Sequence, residues 1–156
     1  MLRIRVIAVG EPKDRWIAEA CNYYAKLISR WANLETKLLP APKGSSSLPP
    51  SQIMEREAER IARELGKGKT IALSDKGKRL DSAGFAEAVR TLEMTSSGVV
   101  TFVIGGPHGL AQRILSQADA VYSLSPLTFS HQLARVVLLE QLYRAYTIIH
   151  GTAYHK

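Results

Sequence analysis

Val99-Val100-Thr101-Phe102-Val103-Ile104-Gly105-Gly106-Pro107-His108-Gly109-Leu110 reads as a strand that ends in a tight glycine turn. The run from Val99 to Ile104 is rich in β-branched residues and shows no alternation of apolar and polar positions. A strand with no wet face is buried on both sides, as at the centre of a parallel sheet. Gly105 and Gly106 follow directly, so a ligand can approach bare backbone. Pro107 stiffens the turn, and Gly109 permits a positive φ before the next helix. The pattern is neither the G-x-G-x-x-G of dinucleotide folds nor the G-K-[ST] of a P-loop, which disfavours a nicotinamide enzyme or an NTPase. Taken alone, Gly-Gly-Pro also suits an ordinary strand-to-helix connection.

Working outward, strand-length apolar runs alternate with helical periods. Leu2 to Val9 is the first strand. Trp16, Ile17, Ala20, Tyr24, Leu27, Ile28 and Trp31 then recur at helical spacing, and Leu34 to Leu39 is a second strand. Pro40 to Pro50 is a surface loop, and Ser51 is placed to cap a helix that buries Met54, Ala58, Ile61 and Leu65. The Glu and Arg residues of that helix read as its solvated face. Thr70 to Ser74 is a third strand, Phe85, Val89 and Leu92 mark a third helix, a short helix lies near Leu110 to Gln117, and Ala120 to Leu124 is a fifth strand. A helix from about His131 to His150 closes the pattern, with Gly151 as its stop. The alternation predicts one α/β domain over 1–156, with a mostly parallel sheet flanked by helices.

The 156 residues are 46% hydrophobic and 22% charged, which excludes a disordered chain. Twenty-one Lys and Arg against 14 Asp and Glu leave +7. Such a surface either meets an acidic partner, nucleic acid being the default, or is merely a soluble basic surface. The single cysteine, Cys21, excludes an intrachain disulfide and a cysteine metal cluster. It sits on the apolar stripe of the first helix as core filling. No apolar run approaches the roughly 18 residues of a membrane span, and Arg5 interrupts the N-terminal apolar stretch. The expectation is a cytoplasmic protein with no membrane partner.

Ligands of open α/β sheets bind beyond the carboxyl ends of the strands. Three loops there are unusual: Leu73 to Lys78, Gly105 to Leu110, and Leu124 to His131. The last mixes small hydroxyls with Leu124, Leu127 and Phe129, which suits a ligand with a flat aromatic part and a polar part, such as an adenosine. The final helix is apolar over more than one stripe, so its excess surface either packs deeper within one subunit or meets a partner, most simply a second copy. Glu140 and Arg144 are spaced as an i,i+4 pair. The tail Tyr154-His155-Lys156 can stack on a base and hold a phosphate. His108, His131, His150 and His155 show no metal-ligand spacing, so no metal is expected.

In combination, Phe102 to Leu110, Ser123-Leu124-Ser125 leading to His131-Gln132-Leu133, Glu140-Gln141-Leu142-Tyr143-Arg144-Ala145 and the closing Tyr154-His155-Lys156 resemble the RlmH family. These are bacterial SPOUT-class methyltransferases acting on a pseudouridine of large-subunit ribosomal RNA. The resemblance covers essentially the whole chain. It departs at Ser74, where the family often has Asp, and at Ser130 and Ala153, where it usually has Pro. It implies a SPOUT-type fold with a C-terminal trefoil knot, a homodimer, S-adenosylmethionine as cofactor and 23S rRNA of the assembled ribosome as substrate, methylated at N3 of the base. It implies a cofactor pocket lined by Leu73, Gly105, Leu124, Ser125, Pro126, Leu127, Thr128, Phe129 and Ser130. It implies that the tail of one subunit reaches the cofactor of the other, and residue type and tail position then suggest Tyr154, His155, Arg144 and His131 as the catalytic set. Arg135 and Lys156 are the candidates for RNA phosphates.

Two rival readings remain at this level. One is a non-enzymatic RNA-binding or ribosome-associated factor, which would not bind S-adenosylmethionine. The other is a methyltransferase of the same fold acting on tRNA, which would leave rRNA unmodified.

Overall fold

The computed structural model describes residues 1–156. The elements, in chain order, are β1 (Leu2–Val9), α1 (Arg15–Ile28), β2 (Ala32–Leu39), α2 (Pro50–Glu64), β3 (Lys69–Arg79), α3 (Ser82–Thr95), β4 (Val99–Ile104), α4 (Gln112–Gln117), β5 (Ala120–Ser123) and α5 (His131–Ile149), with one 3-10 turn at Ser45–Ser47. The five strands form one sheet in the order β2-β1-β4-β3-β5, with every pairing parallel. β4 is the middle strand, and Val100 to Ile104 are all buried.

Alternation within the strands sorts the core onto two faces. Ile4, Val6 and Ala8 of β1 and Val100, Phe102 and Ile104 of β4 meet α1, α3 and α5. Ile7 and Val9 of β1 and Val103 of β4 meet α2 and α4. Period-2 side chains with both faces covered are what a three-layer α/β sandwich requires. α5 lies between α1 and α3 and buries Leu138, Leu139, Leu142, Ala145 and Tyr146. Its apolar excess is therefore partly absorbed within the chain. Leu133, Val136 and Val137, at helical spacing, stay half-buried. Cys21 is half-buried against the larger core.

Some boundaries differ from the sequence reading. Ser51 caps nothing: α2 begins at Pro50, whose fixed φ suits the first helical turn, and Pro49 takes the cap position. α2 buries Ile53, Glu57, Ala58 and Ile61, whereas Met54 and Leu65 are only half-buried. The face is thus turned by one residue, and it takes in a glutamate. β2 starts two residues earlier than the apolar run suggests because Ala32 and Asn33 pair with Leu2 and Arg3. β3 runs on to Arg79 through a bulge, so that both Leu73 and Lys78 pair with Tyr122. Trp31 lies beyond α1 and stacks on Tyr146 and His150, with ring centroids 5.8 and 5.5 Å apart.

Leu142 is fully buried and Met94 is 72% exposed. Leu142→Ala should therefore lose about 2–5 kcal/mol of stability, and Met94→Ala should stay within about 0.5 kcal/mol. Denaturant titration of both variants checks the difference.

Candidate functional site

The carboxyl ends of β3, β4 and β5 open into one cleft of about 540 Å³, within the range of small-molecule sites. Three loops build it, the same three that follow strand ends in the sequence. Leu73, Ser74 and Asp75 come from β3, Ile104 to Leu110 from the glycine turn, and Leu124, Ser125 and Leu127 to His131 from the connection to α5, with Ala134 behind them.

The glycine turn owes its shape to close backbone contacts. Gly109 N–H donates to the Gly106 carbonyl at 3.0 Å, closing a turn over Pro107 and His108. Gly109 has φ +83°, which disfavours any side chain there. A Cβ on Gly105 would lie 2.6 Å from the Gly109 carbonyl carbon. The turn folds back onto its own strand end and leaves no space for that atom. Leu110, Ala111 and Ile114 then anchor the far side in the core shared with α2.

The 124–130 loop braces itself. Ser123 Oγ donates to the Ser125 carbonyl at 2.8 Å, and Ser125 Oγ accepts from Leu127 N–H at 2.9 Å. Ser130 Oγ accepts from Leu133 N–H at 3.1 Å and caps α5, a contact worth about 1 kcal/mol. Serine at this position thus supplies a cap that proline would lack. Pro126 does not line the cleft. The cleft has apolar walls in Leu73, Ile104, Leu124, Leu127 and Phe129, and polar groups in Ser74, Asp75, Ser125, Thr128 and Ser130.

His131 closes one end of the cleft. Burial, followed by the charges of Arg135 and Lys13, holds its pKa below the ordinary imidazole value. Arg135 is not at the surface. It is 3% exposed, and its Nη2 donates to the Val9 carbonyl. It lies one helical turn beyond His131 on the same side of α5, points inward and ties the helix to the end of β1. The sequence assigns Arg135 to an RNA phosphate; the structure places it in the interior, against the end of β1. Gln132 assists, donating to the Glu11 carbonyl and accepting from Lys13 N–H.

The tail lies elsewhere. Tyr154 donates its hydroxyl to Glu140 Oε1 at 2.9 Å, and Arg144 Nη2 donates to the same oxygen at 2.6 Å. The Arg144 guanidinium lies 4.8 Å from the Tyr154 ring centroid, and its Nη1 is 3.2 Å from His155 Nδ1. Burial and then the Glu140 carboxylate push the Tyr154 phenol well above its ordinary value, so it stays protonated. Lys156 is exposed at the end. Glu140 is nine residues beyond His131, about 14 Å along the helix at 1.5 Å per residue. No residue of the tail lines the cleft of its own chain. The fold therefore brings together His131 and the cofactor candidates except Pro126, and separately Arg144, Tyr154 and His155.

A family model described as Predicted SPOUT methyltransferase matches residues 2–155. The chain belongs to the SPOUT methyltransferase family. It is 40% identical over 159 residues to a ribosomal RNA large subunit methyltransferase H from Acetivibrio thermocellus, an alignment covering 99% of this chain and 100% of that protein. A protein of the same name from Ruminiclostridium cellulolyticum is 36% identical with the same coverage. In fold, the chain resembles a probable methyltransferase from Bordetella pertussis Tohama I, with TM-score 0.56 at 20% identity over 92% of this chain and 96% of that one.

Two features of this SPOUT chain escape a linear reading. Glu140 is a hub for Tyr154 and Arg144, although its spacing announces only a surface pair. Glu57 is buried against Gly106, although it belongs to a Glu- and Arg-rich run that reads as solvated. No helix is long and apolar enough to cross a membrane, and no group of three or more His, Cys, Asp or Glu is placed to hold a metal.

The depressed pKa of His131 has a direct readout. An NMR titration should place its midpoint below the ordinary value of about 6.5, so that the ring is neutral at pH 7. A midpoint at or above that value contradicts the buried, cation-flanked setting.

Proposed function

We propose that this chain is an S-adenosylmethionine-dependent methyltransferase acting on N3 of a pseudouridine in 23S rRNA of the assembled ribosome, in the cytoplasm. The observation that carries the reading is the cleft, at the carboxyl end of a parallel sheet, in a chain of a methyltransferase family. The relatives named as rRNA methyltransferases match over their full length, which supports the substrate class. The trefoil knot belongs to the same reading. Family membership supports it, as does the 124–130 loop, which shares one cleft with the ends of β3 and β4.

The donor set fits the cofactor. Leu73, Ile104, Leu124 and Phe129 offer apolar walls to an adenine. Ser125, Thr128 and Ser130 offer hydroxyls to a ribose. Asp75 offers a carboxylate to an ammonium group. S-adenosylmethionine, when bound, supplies an electrophilic methyl group carried on a sulfonium. The glycine turn lets a ligand lie against backbone, and the apolar walls exclude water from it. Holding the reacting atoms close and aligned is the main contribution such a site can make.

The base must lose its N3 proton. His131 is held neutral at the cleft and can accept a proton. His155 can do so from the tail, or the proton passes to water. Tyr154, a neutral phenol, can stack on the base, while Arg144 polarises its carbonyls and Lys156 meets a phosphate.

The tail is pinned beside Glu140, away from its own cleft. The proposed active site is therefore composite, in a homodimer whose partner supplies the tail. The half-buried stripe of Leu133, Val136 and Val137 on α5 supports a second copy as its occupant, and α1 offers further exposed aromatic surface in Trp16 (55%) and Tyr23 (61%).

Complementation tests this arrangement. A Tyr154→Ala, His155→Ala tail variant and a Gly105→Ala cleft variant should each be nearly inactive. After subunit exchange, one of the two sites in each mixed dimer is intact, which should restore roughly a quarter of wild-type methyl transfer. Full activity of the tail variant alone, or no recovery on mixing, would contradict the composite site.

A further inference from the structure

Of the four side chains that α2 buries, three are apolar and the fourth is Glu57. It is 3% exposed, and it takes part in none of the chain's ion pairs. Burying a carboxylate without a salt-bridge partner is costly. Helix amphipathicity does not require it, because neighbouring Arg and Glu residues of α2 face solvent. Its surroundings show what the carboxylate meets. A Cβ on Gly106 would lie 2.4 Å from Glu57 Oε2 and 3.0 Å from its Cδ, so the carboxylate fills the space a side chain at 106 would take. Burial pushes the Glu57 carboxyl above its ordinary value, and the Gly106 backbone, then His108 and Arg60, oppose that shift. Oε1 is buried with no hydrogen-bond partner. Glu57 does not itself line the cleft, whereas Gly105 to Gly109 do. It stands behind the turn, on the side covered by α2 and α4.

We propose that Glu57 is a positioning residue for the cofactor: through the Gly106 peptide its carboxylate fixes the Gly105–Gly109 turn in the shape that S-adenosylmethionine needs. The inference rests on the reading of the cleft as the methyl-donor site. The buried carboxylate and the bare Gly106 are two halves of one contact. Glutamate brings an acceptor to the back of the turn, and glycine removes the atom that would keep it away. Removing the carboxylate at 57 would leave the space behind Gly106 unfilled, and a turn that has lost its backing can relax into a different geometry.

The test uses full-length Glu57→Ala and Glu57→Gln. S-adenosylmethionine affinity is measured by calorimetry, KM is measured separately for cofactor and ribosomes, and amide hydrogen exchange is followed over residues 104–110. Glu57→Ala should weaken cofactor binding about tenfold or more, raise the cofactor KM but not the ribosome KM, and speed exchange in the turn. Glu57→Gln keeps the shape and an acceptor oxygen, and should restore most of the affinity. If Glu57→Ala fails to fold, Glu57→Asp withdraws the carboxylate by one methylene and should show the same pattern. Wild-type cofactor affinity in the Ala or Asp variant overturns the proposal. So does a loss of stability without a change in cofactor affinity or turn exchange. If the wild-type chain binds no S-adenosylmethionine, the reading of the cleft fails instead. Unchanged exchange over 104–110 then overturns the hold of Glu57 on the turn.

Discussion

The close approach of backbone to backbone at the end of β4 is the constraint on which the cleft depends. Gly105 packs against the carbonyl of Gly109 with no space for a Cβ, and Gly106 packs against Glu57. These contacts fix where the turn lies relative to the ends of β3 and β5. The turn in turn hangs from the most buried strand of the sheet, whose two faces are covered by different helices. A displacement here would therefore have to be absorbed by both layers of the core, which are close-packed and yield little.

α5 links this cleft to the chemistry proposed for the tail. Its first turn carries the Ser130 cap, His131 at the cleft, and the buried Gln132 and Arg135 that tie it to the end of β1. Its middle carries Glu140 and Arg144, which gather Tyr154 and His155. One helix thus sets the spacing between the cleft and the tail. In the proposed dimer, a tail held by the Glu140 carboxylate and the Arg144 guanidinium can be presented to the partner's cleft with little entropy left to lose.

Much of this architecture was legible in the sequence because the strands are buried on both faces. Val99 to Ile104 announces the central strand by its lack of alternation, and β1, β4 and α5 begin and end within a residue of their apolar patterns. The three loops of the cleft were legible as strand-end anomalies. Strand order was not, since pairing such as β1 with β4 is a tertiary choice that no local pattern encodes. The burial of Glu57 and Arg135 was not legible for one reason. Charged residues are normally solvated, and only the fold reveals a carboxylate behind a glycine turn and a guanidinium at a strand end. Ser51 was misread because serine is a good cap, whereas Pro49-Pro50 starts the helix by fixing φ. The role of Glu140 depends on the tail folding back, a contact across 14 residues.

The proposed reaction is delivery of a methyl group from the cleft to large-subunit rRNA. It is tested most directly by transfer of labelled methyl from S-adenosylmethionine to ribosomes from cells lacking this protein, followed by nucleoside analysis. Label is expected in a methylated pseudouridine of 23S rRNA. Label in tRNA alone, or no transfer by a chain that binds the cofactor, would contradict it.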